Sequence, residues 1–299
     1  MTTTAPKPSH GSTSPDRQPG ASGHEVRAGY RFPTDTIVVD EAEQRRMHGY
    51  CDIPAERWGD RIDPTFLARY PIRVIGNALF SCHPDRGYVH MMHRIRQLAP
   101  VTLGEAITVD GWFVAVDPVP RGWMMKGMFE YRRTGGELVM VVEPEALMAD
   151  PTRMPPPGAA KAGPGNNGGA KAPGTGPADG SAAGFAAIHT KTFTPEKVVA
   201  YSGKGRNPIH DDPEHAQAMG FRAPIVAGNQ LINQLLEPLA MGGRPERFDV
   251  DVRLRRPVFW DEAVTVEGRR DASGALAATR LVKSDGRVAS DCTILDLTR

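Results

Sequence analysis

One stretch of twelve residues occurs twice in this chain, as PVTLGEAITVDG at residues 100–111 and as PVFWDEAVTVEG at residues 257–268. Seven of the twelve positions are identical, and Ile107 of the first copy is replaced by the similar Val264 of the second. The two copies are offset by 157 residues (257 − 100 = 157). Similarity of this kind indicates that a unit of structure was duplicated within the chain.

A second set of matches precedes the first, in the same order. In the front half, Asp63-Pro64 is predicted to begin a short helix, and Pro71-Ile72 then leads to Gly76-Asn77. The back half has the corresponding pairs Asp212-Pro213, Pro224-Ile225 and Gly228-Asn229. The preserved order favours the duplication of a whole domain over the duplication of a single segment.

The segment between the two halves has a different composition. Residues 151–184 contain mainly Pro, Gly and Ala and almost no large apolar side chains. We expect a flexible linker there, because such a segment cannot bury enough surface to offset the entropy lost on ordering. Residues 1–29 are rich in Thr, Ser, Pro and Gly and are expected to form a disordered tail. The chain is therefore predicted to hold one domain at residues 30–150 and a second at residues 185–299.

The pattern of the back half predicts one long helix followed by strands. After Gly228, leucine and isoleucine recur at helical spacing as far as Gly242-Gly243, a pair typical of a helix end. The segments beyond it are rich in β-forming residues and are broken by turn residues, and we predict strands at Phe248–Arg255, Ala263–Arg270, Ala275–Val282 and Arg287–Leu297. The front half repeats the pattern near Tyr88–Gln97, Glu105–Val116, Gly122–Arg132 and Glu137–Ala149.

A central helix followed by consecutive antiparallel strands can bury its apolar face only if the sheet curls around it. The predicted fold class is therefore α+β, and the predicted architecture is a double hot-dog. In that architecture two antiparallel sheets, each wrapped around a central helix, form a pseudo-dimer within one chain. A homodimer of such double hot-dogs is a further possibility.

Charge and cysteine content exclude several kinds of partner. A formal net charge of +1 leaves no excess of basic groups that would attract nucleic acid or an anionic membrane. The three cysteines lie far apart and form no C-x-x-C pair, so we expect no zinc site, no disulfide framework and a reducing, cytoplasmic location. No apolar run approaches the ~20 residues of a membrane-spanning helix. We therefore expect a small-molecule partner and no cofactor.

The most distinctive segment runs from Tyr201 to Gly228. It contains YSGKGRNPIHDDP at residues 201–213, then Gly220-Phe221, then PIVAG at residues 224–228. This segment resembles the signature of the MaoC-like, R-specific enoyl-thioester hydratases, which reads approximately S-G-D-x-N-P-[LI]-H-x-D-P, then G-F, then P-I-x-H-G. The resemblance is specific here, is weaker over the remaining back half, and reaches the front half only through the repeat.

The resemblance implies roles for three residues. His210 matches the family's catalytic histidine, Asn207 its motif asparagine, and Gly228 the glycine whose backbone N–H binds the thioester oxygen. Members of the family hydrate a 2-enoyl thioester, and a histidine and an aspartate together activate the water. Because Gly228 begins the predicted helix, the unpaired N–H groups and positive dipole at that end suit a developing enolate oxygen.

The chain departs from the signature at the aspartate. The family's aspartate lies five positions before the histidine, and in this chain that position is Gly205. Counting forward from Ser202-Gly203 places Lys204 there instead. Neither residue can act as a carboxylate base. Asp211 is a nearby alternative, but side chains adjacent in sequence usually point in different directions.

Four further residues are candidates for substrate binding. Lys204 and Arg206 could contact phosphates of coenzyme A or of a carrier-protein arm, although two basic residues on a Gly-rich loop are more often solvated. Ala227 occupies the position of a histidine that often precedes the helix glycine, and Asn229 follows that glycine.

Other polar residues have a simpler structural interpretation. Asp63 and Asp212 each precede a proline at the first helical position, and we interpret them as N-caps rather than catalytic acids. His90 and His93 have a spacing suited to a metal only within a helix. The strand expected there would place them on opposite faces, so we interpret them as structural residues and predict no metal site.

Three functions fit this pattern. The leading hypothesis is a lyase that hydrates a 2-enoyl thioester, or dehydrates a 3-hydroxyacyl thioester, attached to coenzyme A or a carrier protein. In this hypothesis the front half shapes the acyl tunnel. The second is a non-catalytic acyl-thioester-binding or assembly subunit, which would explain the absent aspartate. The third is a thioesterase, against which the position of Glu237, deep within the helix rather than at its start, is an argument.

Overall fold

A computed structural model of the chain describes residues 25–153, 184–205 and 207–299. Most of the expected tail and linker, and Arg206, lie outside the described residues. The last residues of the expected tail are described. Val26 packs against the hydrophobic core, and the Gly29 N–H donates a hydrogen bond to the Phe113 carbonyl (2.8 Å). These residues are therefore part of the folded body and not of a disordered tail.

Within the described residues, the two halves contain the same succession of elements, except that the back half has one more helix before its central helix. The front half forms β1 (Asp35–Val38), α1 (Glu41–Cys51), α2 (Pro64–Cys82), β2 (Gly87–Gln97), β3 (Ala106–Val119), β4 (Gly122–Arg133) and β5 (Leu138–Ala149). The back half forms β6 (Phe185–Thr192), α3 (Pro195–Ser202), α4 (Pro213–Ala218), α5 (Gly228–Met241), β7 (Arg247–Leu254), β8 (Ala263–Arg270), β9 (Leu276–Lys283) and β10 (Val288–Thr298). Each strand predicted from the sequence is present within a few residues of its expected ends.

The ten strands form a single antiparallel sheet. Their order is β1-β3-β4-β5-β2 in the front half and β7-β10-β9-β8-β6 in the back half, so that one half repeats the order of the other in reverse. Strands β2 and β7 pair with each other, with Ile95 opposite Val250, and this pairing is the seam between the halves. The two predicted sheets are therefore joined edge to edge into one.

The two central helices, α2 and α5, pack against this sheet and against each other. In α5 every residue from Asn229 to Ala240 is buried. The apolar residues of both helices and of both halves of the sheet belong to one hydrophobic cluster. The predicted α+β double hot-dog, with its long helix starting at Gly228, is confirmed.

The central helix of the front half begins earlier than the sequence suggested. Asp63 and Pro64 do not begin a separate short helix; Asp63 caps α2, which continues through Pro71 and Gly76. A proline inside a helix leaves the carbonyl four residues earlier without its usual donor. Here the hydroxyl of Tyr131 donates to that carbonyl, of Leu67, at 2.7 Å. Tyr131, 64 positions from Leu67 in the sequence, therefore allows the helix to continue.

Buried polar contacts also connect the halves. The Asn233 amide of α5 donates to the Tyr201 hydroxyl (2.9 Å), and its side-chain oxygen lies 2.7 Å from the hydroxyl of Thr65. Asp63, whose carboxylate caps α2 through the Thr65 N–H, also contacts the buried His48 ring (2.9 Å). Since each of these groups is removed from water, the network favours one relative arrangement of the two halves.

Candidate active site

The segment that carries the motif is held against the start of α5. His210 ends a short 3-10 turn, Pro208–His210, and its Nδ1 lies 2.8 Å from the backbone oxygen of Ile225. The Ile225 N–H in turn donates to the Ile209 carbonyl (3.1 Å). These two hydrogen bonds place the His210 ring beside the chain three residues before Gly228. The structure thus places the motif histidine against Ile225, three residues before the helix start at Gly228.

This contact determines which nitrogen of His210 can act as a base. A carbonyl oxygen can only accept, so Nδ1 carries the proton and Nε2 of the neutral ring has a free lone pair. Nε2 lies 3.5 Å from the side-chain nitrogen of Asn207, at the limit of a hydrogen bond. Burial lowers the pKa of His210, with opposing contributions from the Ile225 backbone and Asp211. The ring is therefore neutral, and able to accept a proton, near neutral pH.

Gly228 lies at the first position of α5, where backbone N–H groups have no partners within the helix. The structure gives a second reason for glycine at this position. A Cβ atom there would lie 2.6 Å from Cδ1 of Leu254 and 2.8 Å from Nδ1 of His90. Both distances are shorter than real carbon contacts, so glycine lets the start of α5 approach strands β2 and β7.

The loop before His210 has no carboxylate at the position of the aspartate in the MaoC-like motif. Its two glycines, Gly203 and Gly205, have positive φ values of 79° and 73°, which side chains rarely adopt. The Gly205 N–H donates to Oδ2 of Asp211 at 2.5 Å. Asp211 therefore holds the loop with one carboxylate oxygen, whereas its Oδ1 is buried without a hydrogen-bond partner among the described residues.

The candidate substrate-binding residues lie in different surroundings. Lys204 is exposed on the loop, and Arg206 lies outside the described residues. Ala227 packs against an apolar cluster that joins α1 to α3 and includes Met47 and Tyr201. Asn229 is buried in the first turn of α5, and its side-chain oxygen has no hydrogen-bond partner in the described part of the chain.

One pair of histidines, His90 and His93, lies differently from the arrangement that the sequence predicted. His90 and His93 of β2 do not lie on opposite faces, because a bulge between His90 and Met92 shifts the strand register by one residue. Their rings lie 4.8 Å apart, nearly perpendicular, and the His90 ring faces Gly228. The three-residue spacing was visible in the sequence, but no local signal marked the bulge. The earlier placement of the pair on opposite faces is wrong.

Within residues 25–153, 184–205 and 207–299, no group of three or more His, Cys, Asp or Glu side chains is arranged to hold a metal ion. None of the helices between residues 25 and 299 that the structure describes is long and apolar enough to cross a membrane.

No protein-family description and no curated protein matches this sequence significantly. Solved structures do match. HtdX from Mycobacterium tuberculosis is 17% identical with a TM-score of 0.62, over 87% of this chain and 98% of that one. A MaoC-like dehydratase is 16% identical with a TM-score of 0.68, over 93% of this chain and 99% of the other.

A third similar structure is an acyl-ACP thioesterase from Bacteroides thetaiotaomicron, 13% identical with a TM-score of 0.54, over 87% of this chain and 96% of that one. Sequence identities this low support a shared fold and no particular reaction. The similarity nevertheless spans both halves, each with its central helix and its share of the sheet. The chain is therefore a double hot-dog protein, with the fold of the MaoC-like dehydratases and of this thioesterase.

Proposed function

We propose that this protein catalyses the reversible addition of water to a 2-enoyl thioester. His210 is the base, and the first turn of α5 binds the thioester oxygen. The observation that supports this most directly is the contact between His210 Nδ1 and the Ile225 carbonyl. This contact leaves Nε2 as an acceptor, and it lies three residues before Gly228, where the first N–H groups of α5 have no partner within the helix.

The reaction follows from these two features. Nε2 of His210 takes a proton from water as the water oxygen forms a bond to C3 of the enoyl group. The π electrons of the C2–C3 double bond then move to give an enolate, whose charge rests on the thioester oxygen at the positive end of α5. Transfer of the proton from the imidazolium to C2 completes the 3-hydroxyacyl thioester. The reverse sequence is the dehydration.

The absence of the motif aspartate favours a second candidate function. With Gly205 or Lys204 at the motif position, His210 has no carboxylate partner there to orient the water. A non-catalytic subunit that binds acyl thioesters would need the helix start but not the base. A thioesterase is disfavoured, because Glu237, the buried carboxylate of α5, is engaged by Arg57 at 3.1 Å.

The test is incubation of the purified protein with crotonyl-CoA and with branched and aromatic enoyl-CoAs, followed by mass spectrometry. A gain of one water supports hydration, loss of the CoA thiol indicates a thioesterase, and binding without conversion indicates a binding subunit. His210→Ala should lower turnover by ~10²–10⁴-fold while thioester affinity changes little. His215→Ala is the matched control, because His215 is exposed on α4 and takes no part in the proposed site.

Retention of wild-type turnover by His210→Ala would exclude His210 as the base. A turnover loss of equal size in His215→Ala would indicate that the effect arises from the folding of this region and not from the chemistry.

A further inference from the structure

Unpartnered buried polar atoms are concentrated around the start of α5. The four ring nitrogens of His90 and His93 are buried, and none has a hydrogen-bond partner of good geometry in the described part of the chain. The side-chain oxygen of Asn229, in the first turn of α5, shares this property, and Asn229 itself is only 6% exposed. Buried polar groups in folded proteins nearly always have a partner, so a cluster of exceptions requires an explanation, such as a bound water or a polar ligand.

The geometry of β2 brings these groups together. The bulge after His90 turns both histidines to the same side of the strand, where their rings meet nearly at right angles. His93 is completely buried at the seam and pairs with Val252 of β7. His90 is the nearer of the two to the helix, because its Nδ1 would lie 2.8 Å from a Cβ built on Gly228.

The electrostatic surroundings keep both rings neutral. Burial lowers the pKa of His90 to about 4, against a smaller opposing effect of the Met92 backbone. Burial also holds the pKa of His93 well below its usual value, and the neighbouring His90 acts in the same direction. A neutral imidazole has one N–H donor and one acceptor nitrogen. The pair can therefore donate a hydrogen bond to a ligand oxygen at neutral pH without carrying a charge.

We propose that His90 donates a hydrogen bond to the thioester oxygen bound at the start of α5. This inference rests on the proposed function to the extent that the ligand is an acyl thioester. The oxygen then receives one hydrogen bond from the backbone of the back half and a second from a side chain of the front half. The front half is thereby part of the catalytic site, and its role is more than shaping an acyl tunnel.

The chemical benefit comes from where the charge develops. Charge accumulates on the thioester oxygen only as water adds to C3, so a donor aimed at that oxygen stabilises the transition state more than the bound substrate. Removal of one such donor typically lowers kcat by ~10²–10³-fold. A neutral imidazole is suited to this role, since it does not have to lose or gain a proton during the reaction.

The test combines turnover with a direct observation of the carbonyl group. Crotonyl-CoA labelled with ¹³C at C1 is bound to the protein, and difference infrared spectroscopy measures the thioester C=O stretch. His90→Phe removes the donor and keeps a flat ring, His90→Gln retains a donor, and His215→Phe is the control for loss of an imidazole outside the proposed site, because His215 is exposed on α4. Thermal unfolding of each variant verifies folding, and His90→Leu replaces His90→Phe if the phenyl ring does not fit.

In the wild type we expect binding to lower the C=O stretching frequency. In His90→Phe we expect a smaller shift and a fall in kcat of ~10²–10³-fold with little change in KM. His90→Gln should recover part of both effects, and His215→Phe should keep the wild-type shift and kcat.

An unchanged shift and kcat in folded His90→Phe would overturn the inference. If wild-type protein binds crotonyl-CoA without hydrating it, the hydratase proposal fails, while the infrared shift still decides the role of His90. If wild-type protein binds neither crotonyl-CoA nor 3-hydroxybutyryl-CoA, both proposals are refuted.

Discussion

Replacement of Gly228 by alanine should destabilise the fold, although alanine is the better helix former. The added Cβ would lie 2.6 Å from Cδ1 of Leu254 and 2.8 Å from Nδ1 of His90. Neighbours at these distances must shift, and inserting one carbon into a packed core costs ~1–3 kcal/mol. The lower entropy of the unfolded alanine chain returns only ~0.4–1 kcal/mol. We therefore expect a net loss of about 1–2 kcal/mol in the free energy of unfolding.

Gly76 in α2 provides the matched control. A Cβ built there would find its nearest neighbour, Cε1 of Tyr88, at an ordinary contact distance of 3.6 Å. Gly76→Ala should therefore stabilise the protein by ~0.5–1 kcal/mol, because glycine is unfavourable within a helix. Urea unfolding of the two variants measures both changes, and equal m-values would show that the unfolded states are comparable.

The reasoning is refuted if Gly228→Ala proves as stable as Gly76→Ala. A double-mutant cycle with Leu254→Ala tests the stated cause. Truncating Leu254 removes the closer of the two clashing atoms, so the cost of Gly228→Ala should be smaller in that background, with a coupling free energy of ~0.5–3 kcal/mol.

Two further predictions concern buried ionisable groups. Asp63→Ala removes both the cap of α2 and the buried partner of His48, and should lower the free energy of unfolding by ~3–5 kcal/mol. Asp212→Ala removes only an exposed cap of α4 and should lower it by ~0.5–2 kcal/mol. Equal losses for the two variants in chemical denaturation would contradict the importance of burial. The lowered pKa values of His90 and His93 mean that the unfolded chain binds more protons than the folded one below pH ~6.5. Their contribution to stability is complete above that pH and is lost as the pH falls toward about 4, the pKa of His90. A double replacement of both histidines by Phe should flatten the stability profile over this range, and an unchanged slope would show that the rings are not buried and neutral.

Local patterns in the sequence predicted most of the strands and the central helix of the back half. The strands were recognisable because β-forming segments end at turn residues such as Asp271 and Gly274, and both signals lie within a few neighbouring positions. The helix at Gly228–Met241 was recognisable for the same reason, from the spacing of its leucines and the glycines that follow. The duplication needed only a comparison of residues 100–111 with residues 257–268.

Contacts between distant residues determined the features of the fold that the sequence left open or for which it gave a wrong prediction. A proline usually ends or kinks a helix, yet α2 continues through Pro71 because Tyr131 donates to the carbonyl that the proline leaves free. No local pattern near Arg94 predicts that β2 pairs with β7 and joins the sheets. This pairing depends on two strand edges that form only when each half has folded.

The candidate site divides in the same way. The motif identified His210 and Gly228, since their residue types and spacing are written along the chain. Only the tertiary structure selected the nitrogen of His210 that can act as a base, through the Ile225 carbonyl, and only it placed His90 of the other half against Gly228. The physical reason is that hydrogen-bond direction and close packing depend on which distant groups meet in three dimensions, and residue identity along the chain does not specify that meeting.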